Sequence, residues 1–255
     1  AMSAAGFDTP PAYFTMHTLR LLLLFLLGLS GSAMAQHNYA AEEFIVVSGG
    51  PAMRVWEDYR VAPEQHDKYA GNFIKAAHIR LEQIRAEQGP AAKLTWLIYR
   101  PAYVARERED QQRRPPYTCD IAEINARAAK CGANIVWFNN KDFVINYLNA
   151  RGGKKIADLE FFVHSNKYAF LFDYSNETLG VSTCYLHCVD LKRIHRGLFT
   201  KDARVQSWGC HTAEYMSGIW KKAVGVPLIG AIGKTDYRAI GDNVSLPTIG
   251  GRWSR

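Results

Sequence analysis

The sequence lacks any apolar run of the length that a membrane span requires. Its hydrophobic stretch, Leu21 to Leu29, falls far short of the roughly 20 residues needed. Cysteine is sparse: Cys119, Cys131, Cys184, Cys188 and Cys210 are all there are. Their spacing matches no zinc knuckle, so no metal site is expected. Gly49-Gly50 lacks the Lys-Ser/Thr of a P-loop and the third glycine of a dinucleotide fingerprint, so it reads as a turn. Internal repeats and low-complexity tracts are missing. Charge is not segregated either, although the net charge is +7. Arg106, Arg108, Arg113 and Arg114 are interleaved with Glu107, Glu109 and Asp110. That pattern reads as a solvated loop, and no nucleic-acid-binding motif accompanies it.

What is present begins with a leader-like layout. Met16 opens a short segment with His17 and Arg20, the apolar run follows, and small residues end at Ser32-Ala-Met-Ala35. This is the pattern of a bacterial secretory signal peptide over residues 16–35, cleaved before Gln36. Residues 1–15 read as an upstream extension, and 36–255 as a single domain. Cleavage would leave no cysteine at the new amino terminus, which argues against a lipid anchor. The expected location is periplasmic or secreted, with no membrane span in the mature chain.

In such an oxidising compartment four cysteines are expected to pair and one to remain. Cys184 and Cys188 are close enough in sequence to bridge. Cys119 and Cys131 flank an expected helix of about 18 Å, which forbids a direct bridge and leaves cross-pairing open.

Strand-like and helix-like segments alternate along the chain. Strands are expected at Glu43–Ser48, Leu94–Tyr99, Asn134–Phe138, Leu159–Val163, Tyr168–Phe172, Arg204–Trp208 and Val226–Ala231. Helices are expected at Asp67–Glu87, Asp120–Lys130, Asp142–Ala150, Asp190–Leu198 and Ala213–Val224. Val104 to Pro116 and the tail from Gly241 read as loops. Alternation of this kind predicts an α/β fold, a mostly parallel sheet with helices on both faces.

In such a sheet ligands bind beyond the carboxyl ends of the strands. Two residues with suitable chemistry end strands here. His164 closes Phe161-Phe-Val-His-Ser165, and Cys210 follows Gln206-Ser-Trp-Gly. A helix expected directly after Cys210 would favour a thiolate through its dipole and free N–H groups. A neighbouring imidazole can take the thiol proton. Backbone N–H groups of Ser165 and Cys210 would form an oxyanion hole. His211, Asp173 and Glu214 are auxiliary candidates, as a substitute base, as groups orienting His164, or as readers of a basic substrate.

The order strand-His, hairpin, helix, strand-Gly-Cys-x-x-Ala, helix, then Pro-Leu-Ile-Gly-Ala resembles the caspase-like cysteine peptidases, particularly their bacterial members. The specific part of the resemblance runs from Leu159 to Gly233. It implies a caspase-like three-layer sandwich. It also implies an exported hydrolase with His164 as general base and Cys210 as nucleophile, a peptide or protein substrate, and no cofactor. The family usually has glycine after the histidine, where this chain has Ser165. Two alternatives accompany this reading: a catalytically inactive binding module of the same fold, and a cysteine amidase acting on cell-wall peptides.

Overall fold

The computed structural model describes residues 38, 41–51, 71–113, 119–174, 184–242 and 244–254. The expected leader over 16–35 and the extension before it lie outside the described residues, as does the first turn of the helix expected from Asp67.

The elements follow in the order β1 (Glu42–Ser48), α1 (Asn72–Gln88), β2 (Leu94–Tyr99), α2 (Arg100–Arg113), α3 (Ile121–Cys131), β3 (Asn134–Phe138), α4 (Lys141–Asn149) and β4 (Lys155–Phe162). Three short strands come next, β5 (His164–Ser165), β6 (Ala169–Leu171) and β7 (Tyr185–His187), then β8 (Phe199–Ser207) and α5 (Met216–Val224). Two-residue strands β9 (Ala231–Ile232), β10 (Thr235–Asp236), β11 (Thr248–Ile249) and β12 (Arg252–Trp253) complete the chain.

The central sheet has five strands in the order β3-β2-β1-β4-β8, and every neighbouring pair is parallel. Parallel sheets are covered on both faces, so their central strands are apolar throughout. Accordingly β1 carries Phe44, Ile45, Val46 and Val47, each at most 3% exposed. Alternation along the strands sorts their side chains into two cores. Ile45, Val47, Leu159 and Phe161 pack with α4, α5 and the turn at Leu191. Phe44, Val46, Trp96 and Phe162 pack with α1 and α3 on the other face. The molecule is therefore an α/β protein of three layers, with the strand order reversing between β1 and β4, where doubly wound sheets place their ligands.

Several local expectations change. The segment read as a charged loop is the helix α2, because its charges partition. Ala102, Tyr103, Arg106 and Asp110 form a buried face on which Arg106 Nε reaches Asp110 Oδ1 at 3.0 Å. Pro101 lies in the first helical turn, where its missing N–H breaks no bond. The helix expected from Asp190 is a 3-10 turn at Cys188–Arg193 preceded by β7. The strand expected at Val226–Ala231 reduces to one parallel bridge, Gln206 to Ile229, and β9. The glycine-rich tail is not all loop, since β12 pairs with β9 and Trp253 packs against Trp208.

The cysteines do not pair. All five are thiols. Cys119 and Cys131 belong to the core on one face of the sheet, Cys184 and Cys188 to the core on the other. The sheet thus forbids cross-pairing. The strand β7 between Cys184 and Cys188 sets their Cα atoms about 13 Å apart at 3.3 Å per residue, beyond the reach of a bridge.

Candidate active site at the β4–β8 rim

Strands β4 and β8 pair with a constant offset over their last residues: Leu159 with Val205, Glu160 with Gln206, Phe161 with Ser207. The two strands lead at their carboxyl ends into His164 and Cys210. The chains stay side by side as far as Trp208, whose N donates to Phe161 O at 2.8 Å. The rings of Phe162 and Trp208 stack there at 5.6 Å and 8°. His164 and Cys210 both follow just past the carboxyl end of this ladder, after bends at Val163 and Gly209.

The rung beneath is firmly held. Trp208 Nε1 donates to Glu160 Oε2 at 2.6 Å, and Tyr237 Oη donates to the Trp208 carbonyl at 3.0 Å. Glu160 Oε1 accepts from Arg80 Nε at 2.6 Å, and Arg80 also reaches Asp158 at 3.1 Å. Burial works against the charge of Arg80, but Glu160 and Asp158 outweigh it and hold its pKa above the usual value. Burial, then the neighbouring Glu160 charge, push the Asp158 carboxyl well above the usual carboxylate range.

His164 is set between aromatic rings. Phe73, from the first turn of α1, meets it edge-on at 4.8 Å, and Tyr174 lies against it at 4.6 Å. Phe73 in turn packs on Tyr237.

Cys210 is partly exposed. Its Sγ receives the backbone N–H of Thr235 at 3.4 Å and lies 3.4 Å from Thr235 Oγ1. An N–H aimed at the sulfur stabilises negative charge there. Among the described residues these are the thiol's hydrogen-bond partners, and the His164 imidazole is not one of them. The expected helix dipole is displaced: Cys210 and His211 form a turn, a 3-10 turn spans Thr212–Glu214, and α5 starts only at Met216. Thr235 was not foreseen, since no local signal joins positions so far apart in sequence.

Ser165 is the third member of the rim. Its hydroxyl donates to the Cys210 carbonyl at 2.7 Å. Its backbone N–H points away from β6. Asn166 N donates to Ala169 O, and Phe172 and Tyr168 bond toward the β7 side, so Ser165 opposite Phe170 occupies a non-hydrogen-bonded pair. That leaves its N–H directed out of the hairpin, and the Cys210 N–H has no partner among the described residues. Gly209 makes the approach possible: a Cβ there would lie 2.1 Å from Ser165 Oγ and 2.7 Å from the Val163 carbonyl oxygen.

Of the auxiliary candidates, His211 and Glu214 come together. His211 Nδ1 lies 2.6 Å from Glu214 Oε1, which also accepts the Gly233 N–H at 3.0 Å. The His211 bond, then that N–H, hold the Glu214 carboxyl below the usual range. His211 is the one described non-glycine residue with positive φ, at 62°, held there by its own N–H to the Gly233 carbonyl. Asp173 instead accepts from Tyr99 Oη at 3.3 Å.

Three of the other thiols are buried in the two cores. Burial pushes Cys119 and Cys131 up, and burial with the Asp173 charge pushes Cys184 up to about 11. Buried thiols of this sort are unreactive. Among the described residues no group of three His, Cys, Asp or Glu side chains could hold a metal ion, and no helix is long and apolar enough to cross a membrane. Comparison with protein-family models, curated proteins and solved structures finds no match to this chain.

Proposed function

We propose that this chain is a caspase-like cysteine peptidase that hydrolyses peptide bonds with Cys210 as nucleophile and His164 as general base. The observation that supports the reading is the direct pairing of β4 with β8, whose carboxyl ends lead into His164 and Cys210. In acylation the thiol turns from Thr235, gives its proton to His164, and attacks the carbonyl carbon of the scissile bond. The oxyanion of the tetrahedral intermediate faces the N–H groups of Ser165 and Cys210. His164 then protonates the leaving amine, and the C–N bond breaks to leave a thioester. Water, deprotonated by the same imidazole, attacks that thioester and releases the acid and the free thiol. Contacts of this kind are often loose before substrate binds, which accommodates a resting thiol bonded to Thr235.

The Thr235 bonds also favour a second reading, a binding module of the same fold whose thiol is structural. Turnover separates the two. Wild type, Cys210→Ala and His164→Ala are incubated with a peptide library and with peptidoglycan fragments. The proposal expects peptide cleavage by wild type, none by Cys210→Ala, and a loss of about 100-fold or more in His164→Ala. Cleavage confined to the peptidoglycan fragments would make it a cell-wall amidase. Equal cleavage by wild type and Cys210→Ala contradicts a cysteine nucleophile.

A further inference from the structure

A cavity of about 540 Å³ opens at the other end of the same rim, beyond the carboxyl ends of β2 and β3. That volume is in the range of small-molecule sites. One wall is a stripe of α2, Arg100, Val104 and Arg108, spaced four residues apart. It lies opposite the face that buries Tyr103 and Arg106. The facing wall is aromatic, made by Trp137 and by Phe143, which is 39% exposed.

Two features set this cavity apart from ordinary surface. Large apolar side chains left in contact with water mark binding sites when they line a concavity. In addition, neither Arg100 nor Arg108 has an ion-pair or hydrogen-bond partner among the described residues, whereas Arg80, Arg106, Arg127, Arg151, Arg193 and Arg238 are all paired with carboxylates. The two guanidinium bearers are eight positions apart, about 12 Å along the helix axis. Each guanidinium offers a planar fork suited to a carboxylate.

We propose that this cavity binds a small organic dianion, with a flat apolar body against Trp137 and Phe143 and an acidic group toward each of Arg100 and Arg108. The site is separated from Cys210 by the intervening strands β1 and β4 and does not depend on the chemistry proposed there.

The probe is the para,para′-dicarboxylate of biphenyl, titrated into the full chain by calorimetry, with biphenyl-para-carboxylate as the monoanionic comparison. The proposal expects one saturable site that prefers the dianion. Affinity should fall at least about tenfold in Arg100→Gln/Arg108→Gln, through loss of two charge-assisted contacts. Phe143→Ala, which keeps both charges, should weaken binding as well. Cys210→Ala should bind as wild type does. The arginine heads are exposed and unpaired, so the double variant folds, and its unchanged melting temperature confirms this. Equal affinity in wild type and Arg100→Gln/Arg108→Gln overturns the proposal. So does equal affinity for dianion and monoanion, or the absence of a saturable heat.

Discussion

The hydroxyl of Ser165 donates a hydrogen bond to the backbone carbonyl of Cys210 at 2.7 Å. The residue after the candidate base thus ties down the candidate nucleophile, across the gap between two parallel strands. A glycine at 165 could not make this bond. The glycine is instead at 209, where a side chain would meet Ser165 Oγ at 2.1 Å.

Ser165→Ala removes that bond and is expected to cost about 1 kcal/mol of stability, with a slower reaction of Cys210 toward thiol reagents. Gly209→Ala is expected to cost more, about 1–3 kcal/mol or above, because close contacts with both Ser165 and the Val163 carbonyl must give way. Adding Ser165→Gly to Gly209→Ala recovers only part of the loss, since the Val163 carbonyl still lies 2.7 Å from the new Cβ. Thermal unfolding of the three variants checks the order.

Thr235→Val keeps the N–H directed at Cys210 Sγ and deletes the hydroxyl 3.4 Å away. Iodoacetamide alkylation of Cys210 is expected to slow by up to about fivefold, the equivalent of one modest hydrogen bond. An unchanged rate would assign the sulfur's support to the backbone alone.

The buried cluster under the site makes a pH-dependent prediction. Asp158 has its pKa raised by burial and by the charge of Glu160, and its Oδ1 has no hydrogen-bond partner among the described residues. The folded state therefore binds a proton on this carboxyl more tightly than the unfolded chain, whose ordinary pKa is about 3.9. Its contribution to stability is greatest below that value and declines as pH rises toward the folded pKa. Asp158→Asn should stabilise the protein at neutral pH and lose that advantage in acid. Arg80→Met should destabilise it by about 3 kcal/mol, because the buried Glu160 and Asp158 lose the cation they share and Glu160 keeps only the half-exposed Arg204, at 3.6 Å. Melting temperatures across a pH series test both.

The cysteines supply a redox test. Cores on opposite faces of the sheet, α3 between Cys119 and Cys131, and β7 between Cys184 and Cys188 leave no pair among these four in bonding reach. Denatured protein purified without reductant is expected to titrate all five thiols, and reductant should leave the melting temperature unchanged. Fewer titrating thiols would mean that a bridge exists and that the packing of one core is different.

How far the sequence reaches follows from the range of each signal. The central strands were legible because runs such as Phe44-Ile-Val-Val47 are apolar on both faces, as only a buried parallel strand needs to be. The alternation that made α/β the expected fold is likewise local. Helix α2 is hidden by its dense charge, because Arg106 and Asp110, one turn apart, neutralise each other inside the core. The expectation of disulfides rested on counting, and the placement of two cysteines on each face of the sheet is invisible to a count. At the site, His164 and Cys210 were legible as strand-terminal residues. Their closeness to one another depends on which strands are neighbours, and Thr235 reaches the sulfur from 25 residues away.

The most direct test of the central claim is labelling by a peptidyl electrophile that reacts with nucleophilic thiols. Wild type, Cys210→Ala and His164→Ala are treated under identical conditions and the modified residue is located by mass spectrometry. The account predicts a single adduct on Cys210 in wild type, none in Cys210→Ala, and labelling slowed by about tenfold or more in His164→Ala. Equal labelling of wild type and Cys210→Ala, or labelling indifferent to the loss of His164, would contradict it.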